Sequence, residues 1–218
     1  QLLETMLFAR TAFIDLLQNR EYSLHDRLVN VLSASAEIQY ALDEEDTEEI
    51  KAIAQKLSHP KIIAERVESL KKALPEKPLE NAENMLLYLE CLDFIGDILP
   101  QQIKDASRFV KKLSAPLKAQ TSGEYEKLAV YFVYRYFLKA VRDFDLLSKI
   151  KAMIVFVFAA EVINLSREQD ALARFETVKE LCKEIEYSGD NMDRIYDDSY
   201  LSNIFSDTSM LALLEWTL

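Results

Sequence analysis

The stretch Ala152–Ala160, AMIVFVFAA, decides how this chain folds. By propensity alone its β-branched and aromatic residues suit a buried strand. Its surroundings favour a helix, because it lies inside Glu124–Ser188, 65 residues with neither Gly nor Pro, and strands this apolar usually end at such breakers. Lys149, Lys151 and Glu161 flank it. A membrane span needs about 18 or more apolar residues, so the run is too short to be one. It predicts a helix covered on every side, the centre of a helical core.

Composition agrees with this reading. The chain has 218 residues, 50% of them hydrophobic, with only 3 Gly and 5 Pro. Tight turns, sheet edges and phosphate-cradling loops all lean on those residues. The expected fold is all-α: a multi-helix orthogonal or layered bundle of about 9–11 helices around a buried central apolar helix. The expected division is an N-terminal helical part, 1–121, and a C-terminal helical core, 122–218, packed as one unit. With 37 acidic against 26 basic residues the net charge is -11, which disfavours nucleic acid as a partner. Cys91 and Cys182 have no metal-site spacing and fit a reducing compartment, so the expected location is cytoplasmic. The N-terminus QLLETMLFARTAF has neither a leader pattern nor an initiator Met, and the chain is expected to be part of a longer protein.

Punctuation residues place the helices. The first is expected over Leu2–Leu17. Ser23 starts a second with Asp26 in a capping box, Thr47 opens a third, and His59-Pro60 closes it and starts a fourth. LPEKPLEN, Leu74–Asn81, reads as a linker, followed by a helix over Ala82–Leu99 and another from Pro100. SAPLKAQTSGE is the second break. In the next helix Val130, Tyr134, Phe137, Leu138 and Val141 share one face, and Tyr131, Arg135, Lys139 and Arg142 lie along another. Ser166 with Gln169 is expected to cap a further helix that ends at Gly189 in the left-handed conformation.

Few residues offer chemistry. His25 and His59 are far apart in sequence and read as surface or capping groups, so no metal site is expected. Cys91 and Cys182 read as inert core thiols. Trp216 and the cluster Tyr131, Phe132, Tyr134, Tyr136 and Phe137 could line an aromatic pocket for a cation, although aromatics at helical spacing more often build core. CKEIEYSGDNM, Cys182–Met192, gathers carboxylates at a helix C-terminus, where they oppose the helix dipole. Arg135 and Arg142 are the expected compensation, converging with Glu184 or Glu186 and Asn191 beside Tyr131 and Tyr187.

Three segments carry a family resemblance. EYEKLAVYFVYRYFLKAVRDFDLLSKIKAMIVF, the later KEIEYSGDNM and the upstream LLQNREYSLHDRLVNVL are similar, in this order, to the C-terminal region of the flagellin lysine-N-methylase family. Tyr187 stands where the family motif commonly has His, and Gly189 also departs from it, so no role of that His carries over. The resemblance implies a protein-lysine N-methyltransferase that acts on flagellin and uses S-adenosylmethionine, with a cysteine-rich, iron–sulfur segment nearer the N-terminus. This chain lacks such a segment and any Gly-rich strand–helix turn, so it is expected to bind neither cofactor alone and to be inactive alone. Tyr131, Arg135, Arg142, Glu184, Glu186, Tyr187 and Asn191 are the candidate binding residues. They form either a structural network or a cleft for a lysine ammonium or the cofactor's amino-acid end. The alternative function is a non-catalytic helical interaction or regulatory module, and a third is the ligand-binding domain of a helical transcriptional regulator.

Overall fold

The structure, a computed structural model, describes residues 1–72, 78–117, 123–167 and 170–216. Among them there is no strand. The helices are α1 (Leu2–Gln18), α2 (Leu24–Asp43), α3 (Thr47–Lys56), α4 (Pro60–Lys71), α5 (Pro78–Glu90), α6 (Ile98–Val110), α7 (Gly123–Tyr136), α8 (Ala140–Asp143), α9 (Leu147–Arg167), α10 (Ala171–Leu181), α11 (Gly189–Leu201) and α12 (Asp207–Leu214). A 3-10 turn over Phe137–Lys139 joins α7 to α8, and a π turn over Cys182–Glu186 extends α10. No described helix is long and apolar enough to cross a membrane.

By contacts the chain divides into two compact units that interleave in sequence: 1–73 with 122–154, and 74–121 with 155–218. The sequence pattern had suggested sequential parts, 1–121 and 122–218. The boundary falls inside α9, between Ile154 and Val155. Every residue of α9 from Ser148 to Asn164 is buried, as expected of a helix apolar all round.

In the first unit α1 packs on α2, α3 and α7, and α2 on α3 and α4. The α1 core face is Met6, Ala9, Phe13, Leu16 and Leu17, and the Phe13 ring meets Phe137 edge-on at 5.0 Å. Ser23 caps α2 by accepting from the Asp26 amide at 3.1 Å. As expected, α3 opens at Thr47; Asp46 caps it by accepting from the Glu49 amide at 3.0 Å. The start of α9 is capped from another helix: Gln39 Oε1 accepts from the Leu146 amide at 2.7 Å and the Leu147 amide at 3.1 Å. In the second unit α5 packs on α6 and α12, and α6 on α10. Trp216 is fully buried with its ring centre 6.2 Å from that of Phe158, so it builds core.

Several local expectations need correction. The helix read over Ala82–Leu99 stops at Glu90; Cys91–Asp97 is non-helical, and α6 starts at Ile98. Part of the expected linker, residues 74–77, lies outside the described residues, while Pro78–Asn81 already belongs to α5. The buried face of α7 is Tyr125, Leu128, Ala129, Phe132, Val133 and Tyr136, and Tyr134 is 65% exposed. A face extrapolated through Leu138 and Val141 fails because the α-helical period ends at Tyr136. Ser166 does not start a helix: its hydroxyl donates to the Ile163 carbonyl at 2.7 Å within α9, and Asp170 caps α10 by accepting from the Ala173 amide at 2.9 Å. Its expected partner Gln169 lies outside the described residues. Cys91 is exposed and Cys182 half-buried, so neither is a core thiol.

Candidate functional site

The CKEIEYSGDNM stretch is a turn between two helices rather than a helix end closed by glycine. Gly189 has no positive φ; it is the first residue of α11, and Ser188 caps that helix by accepting from the Asn191 amide at 3.3 Å. Before it, the Tyr187 amide donates to the Cys182 carbonyl at 2.9 Å, five residues back. That wider π turn carries Glu184, Ile185 and Glu186, all three buried.

The turn aims its polar groups at the Cys91–Asp97 loop. Glu184, 3% exposed, accepts with Oε2 from the Ile95 amide at 2.8 Å and the Gly96 amide at 3.1 Å, and Lys183 Nζ lies 2.9 Å from Oε1. Asn191 Oδ1 accepts from the Asp93 amide at 3.0 Å, while Nδ2 donates to the Asp93 carbonyl at 2.7 Å and the Glu184 carbonyl at 3.1 Å. Arg194 Nη1 donates to the Cys91 carbonyl at 2.8 Å. The loop has no helical ladder of its own, so these side chains satisfy its backbone. The Lys183 ammonium, then the two amides, hold the Glu184 carboxyl below its usual range. A Cβ added at Gly96 would sit 3.0 Å from Glu184 Oε1, so the carboxylate would have to shift to admit it.

The expected binding residues divide between the units. Tyr131, Arg135 and Arg142 belong to the first; Glu184, Glu186, Tyr187 and Asn191 belong to the second. The structure joins Glu184 to Asn191 directly. Arg135 donates from Nε to Tyr136 Oη at 3.1 Å and lies 5.9 Å from the Tyr131 ring centre. Lys139 Nζ stands 4.6 Å over the Tyr136 ring, and Arg10 lies 5.1 Å from the Tyr134 ring centre. The aromatic cluster does receive cations, and those seen here are the chain's own. Arg142 and Tyr187 are exposed, whereas Glu186 is buried.

Two polar sites escaped the sequence reading. Glu126, on α7, accepts from Arg20 Nη2 at 2.9 Å and from Arg27 Nη1 at 2.8 Å, and Arg27 Nη1 also donates to the Leu17 carbonyl. Burial pushes the Glu126 carboxyl up, but the hydrogen bonds from Arg20 and Arg27 outweigh it and hold it below its usual range. LLQNREYSLHDRLVNVL and EYEKLAV, both quoted above for their resemblance, thus meet at one carboxylate. Glu161 is the opposite case. It is fully buried in α9, and neither carboxylate oxygen has a hydrogen-bond partner among the described residues. Burial raises its carboxyl well above the usual range. No described His, Cys, Asp and Glu cluster is placed to hold a metal.

Helices throughout the described residues, and a loop fixed by the buried side chains of Glu184 and Asn191, define an all-helical class of protein. Residues 10–213 match the FliB lysine N-methylase C-terminal domain, and the chain belongs to that family. Searches of curated proteins and of solved structures return no match.

Proposed function

We propose that this chain is the helical C-terminal region of a protein-lysine N-methyltransferase that acts on flagellin and uses S-adenosylmethionine in the full-length protein, in the cytoplasm. The family match across residues 10–213 carries this reading. The chain's own residues do not fit an iron–sulfur cluster, which takes a full set of cysteine thiolates: Cys91 is exposed, Cys182 is half-buried, and no third cysteine exists. They give no glycine cradle for S-adenosylmethionine either. The three glycines, Gly96, Gly123 and Gly189, are scattered along the chain and form no Gly-rich strand–helix turn. Both groups are therefore assigned to the part of the full-length protein outside this chain, and the helical region is assigned the work of presenting protein substrate.

Incubating the full-length protein with labelled S-adenosylmethionine and flagellin tests the reading. Label on flagellin lysines is the expected result, and its absence under conditions where the protein is folded and cofactor-loaded overturns it. The 218-residue chain alone is expected to transfer no methyl group. The second reading, a non-catalytic interaction module, draws on one observation: Glu184 and Asn191 spend their hydrogen bonds on backbone. A folded full-length protein that binds flagellin without methylating it favours that reading.

A further inference from the structure

The Cys91–Asp97 loop is held more firmly than a surface turn needs to be. Its amides at Asp93, Ile95 and Gly96, and its carbonyls at Cys91 and Asp93, each have a side-chain partner from the π turn or α11. The residue this scaffold displays is apolar. Ile95 is 97% exposed and Ile98, at the start of α6, is 59% exposed. A folded chain gains nothing by fixing a bare isoleucine in water; a rigid apolar anchor lowers the ordering cost of binding another surface. Exposed carboxylates surround the anchor in sequence and through the clamp: Asp93 and Asp97 on the loop, and Asp190 next to Asn191. The nearby cations are already engaged, Lys183 with Glu184 and Glu180, and Arg194 with Asp198. An apolar anchor with exposed carboxylates two residues away on either side of it in the chain complements a segment that combines an apolar residue with lysine.

We infer that the Cys91–Asp97 loop, with Ile95 as its anchor, docks a lysine-bearing, partly apolar segment of the protein substrate. The inference rests on the proposed methylase function. Glu184 and Asn191 are positioning residues in it, since they set the loop and do not touch the partner.

The test is binding of purified flagellin monomer to the full-length protein, by calorimetry at low and high salt, for the wild type, Ile95→Ser and the double variant Asp93→Asn/Asp97→Asn. Circular dichroism checks that each folds, and Ile95 is exposed enough for its substitution to leave the melting temperature unchanged. Ile95→Ser should weaken binding by about tenfold or more. The double variant should weaken it at low salt only, because added salt screens exposed charges in the wild type as well. Lysine-acetylated flagellin should bind the wild type no better than native flagellin binds the double variant. Unchanged affinity in Ile95→Ser, or no flagellin binding by the wild-type protein, overturns the inference. So does a wild-type dimer that Ile95→Ser converts to monomer, which would assign the anchor to a second copy. Methyl transfer to flagellin by the full-length protein is read separately, so this inference can fail while the methylase reading stands.

Discussion

Glu161 offers the sharpest test of the folded core. Its carboxyl is fully buried, and both oxygens lack a hydrogen-bond partner among the described residues. Burial raises its pKa in the fold well above the ordinary 4.5, so the folded chain keeps a proton that the unfolded chain releases. The sign follows directly. Above pH 4.5 the folded state binds more protons than the unfolded one, and stability falls as pH rises until the folded-state carboxyl itself ionises. One such group gives a slope of about 1.4 kcal/mol per pH unit. Glu161→Gln keeps the shape and removes the titration. Its stability relative to wild type should therefore grow as pH rises above 4.5, at up to about 1.4 kcal/mol per pH unit until the folded-state carboxyl ionises, all other titrating groups being common to both proteins. Urea unfolding followed by circular dichroism at several pH values measures the difference. Glu161→Leu should gain more, because a methyl pair replaces a polar group that has no partner. A wild type and Glu161→Gln whose stabilities run parallel from pH 5 to pH 7 would refute the reasoning, by showing that the carboxylate is ionised and compensated.

Other expectations follow from single residues. Val155 is 1% exposed, so Val155→Asp buries an unpaired charge in α9; it should cost about 3 kcal/mol or more, or prevent folding, and an unchanged melting temperature contradicts that. Glu184→Ala leaves the Ile95 and Gly96 amides without their acceptor at a site near the protein surface, and should cost about 2 kcal/mol and speed amide exchange across the loop. Gly96→Ala should push the Glu184 carboxylate aside and reproduce part of that loss, whereas Gly189→Ala, with nothing within 4 Å of the new Cβ, should not. The Glu126 carboxyl is held below its usual pKa, so its contribution is present above pH 4.5 and is lost as pH falls through the folded value; Glu126→Gln should flatten the acid limb of a stability profile.

The sequence by itself determined the helical class, the family and the central helix. These rest on properties each segment carries locally. The scarcity of Gly and Pro, the capping oxygens of Ser23 and the apolar run Ala152–Ala160 act within a turn or two of the backbone, so they can be read without knowing what packs against them. Ser166 and Asp170 show the limit of that logic: both are good caps by type, and only continuation of α9 to Arg167 selects Asp170. The Cys91–Asp97 break had its signals in Gly96 and the paired aspartates, yet the surrounding apolar period masked them.

Tertiary structure alone decided the polar partners. Glu184 meets Ile95 and Gly96, Asn191 meets Asp93, and Arg27 meets Glu126 across long sequence separations. Buried charges and open backbone groups take whichever complementary group packing brings within about 3 Å, and sequence order does not constrain which helix supplies it. The same reason separates Glu161 from the other acidic residues of the chain. Its letter is like theirs, and only its position inside the packed core takes it out of solvent, with no hydrogen-bond partner among the described residues.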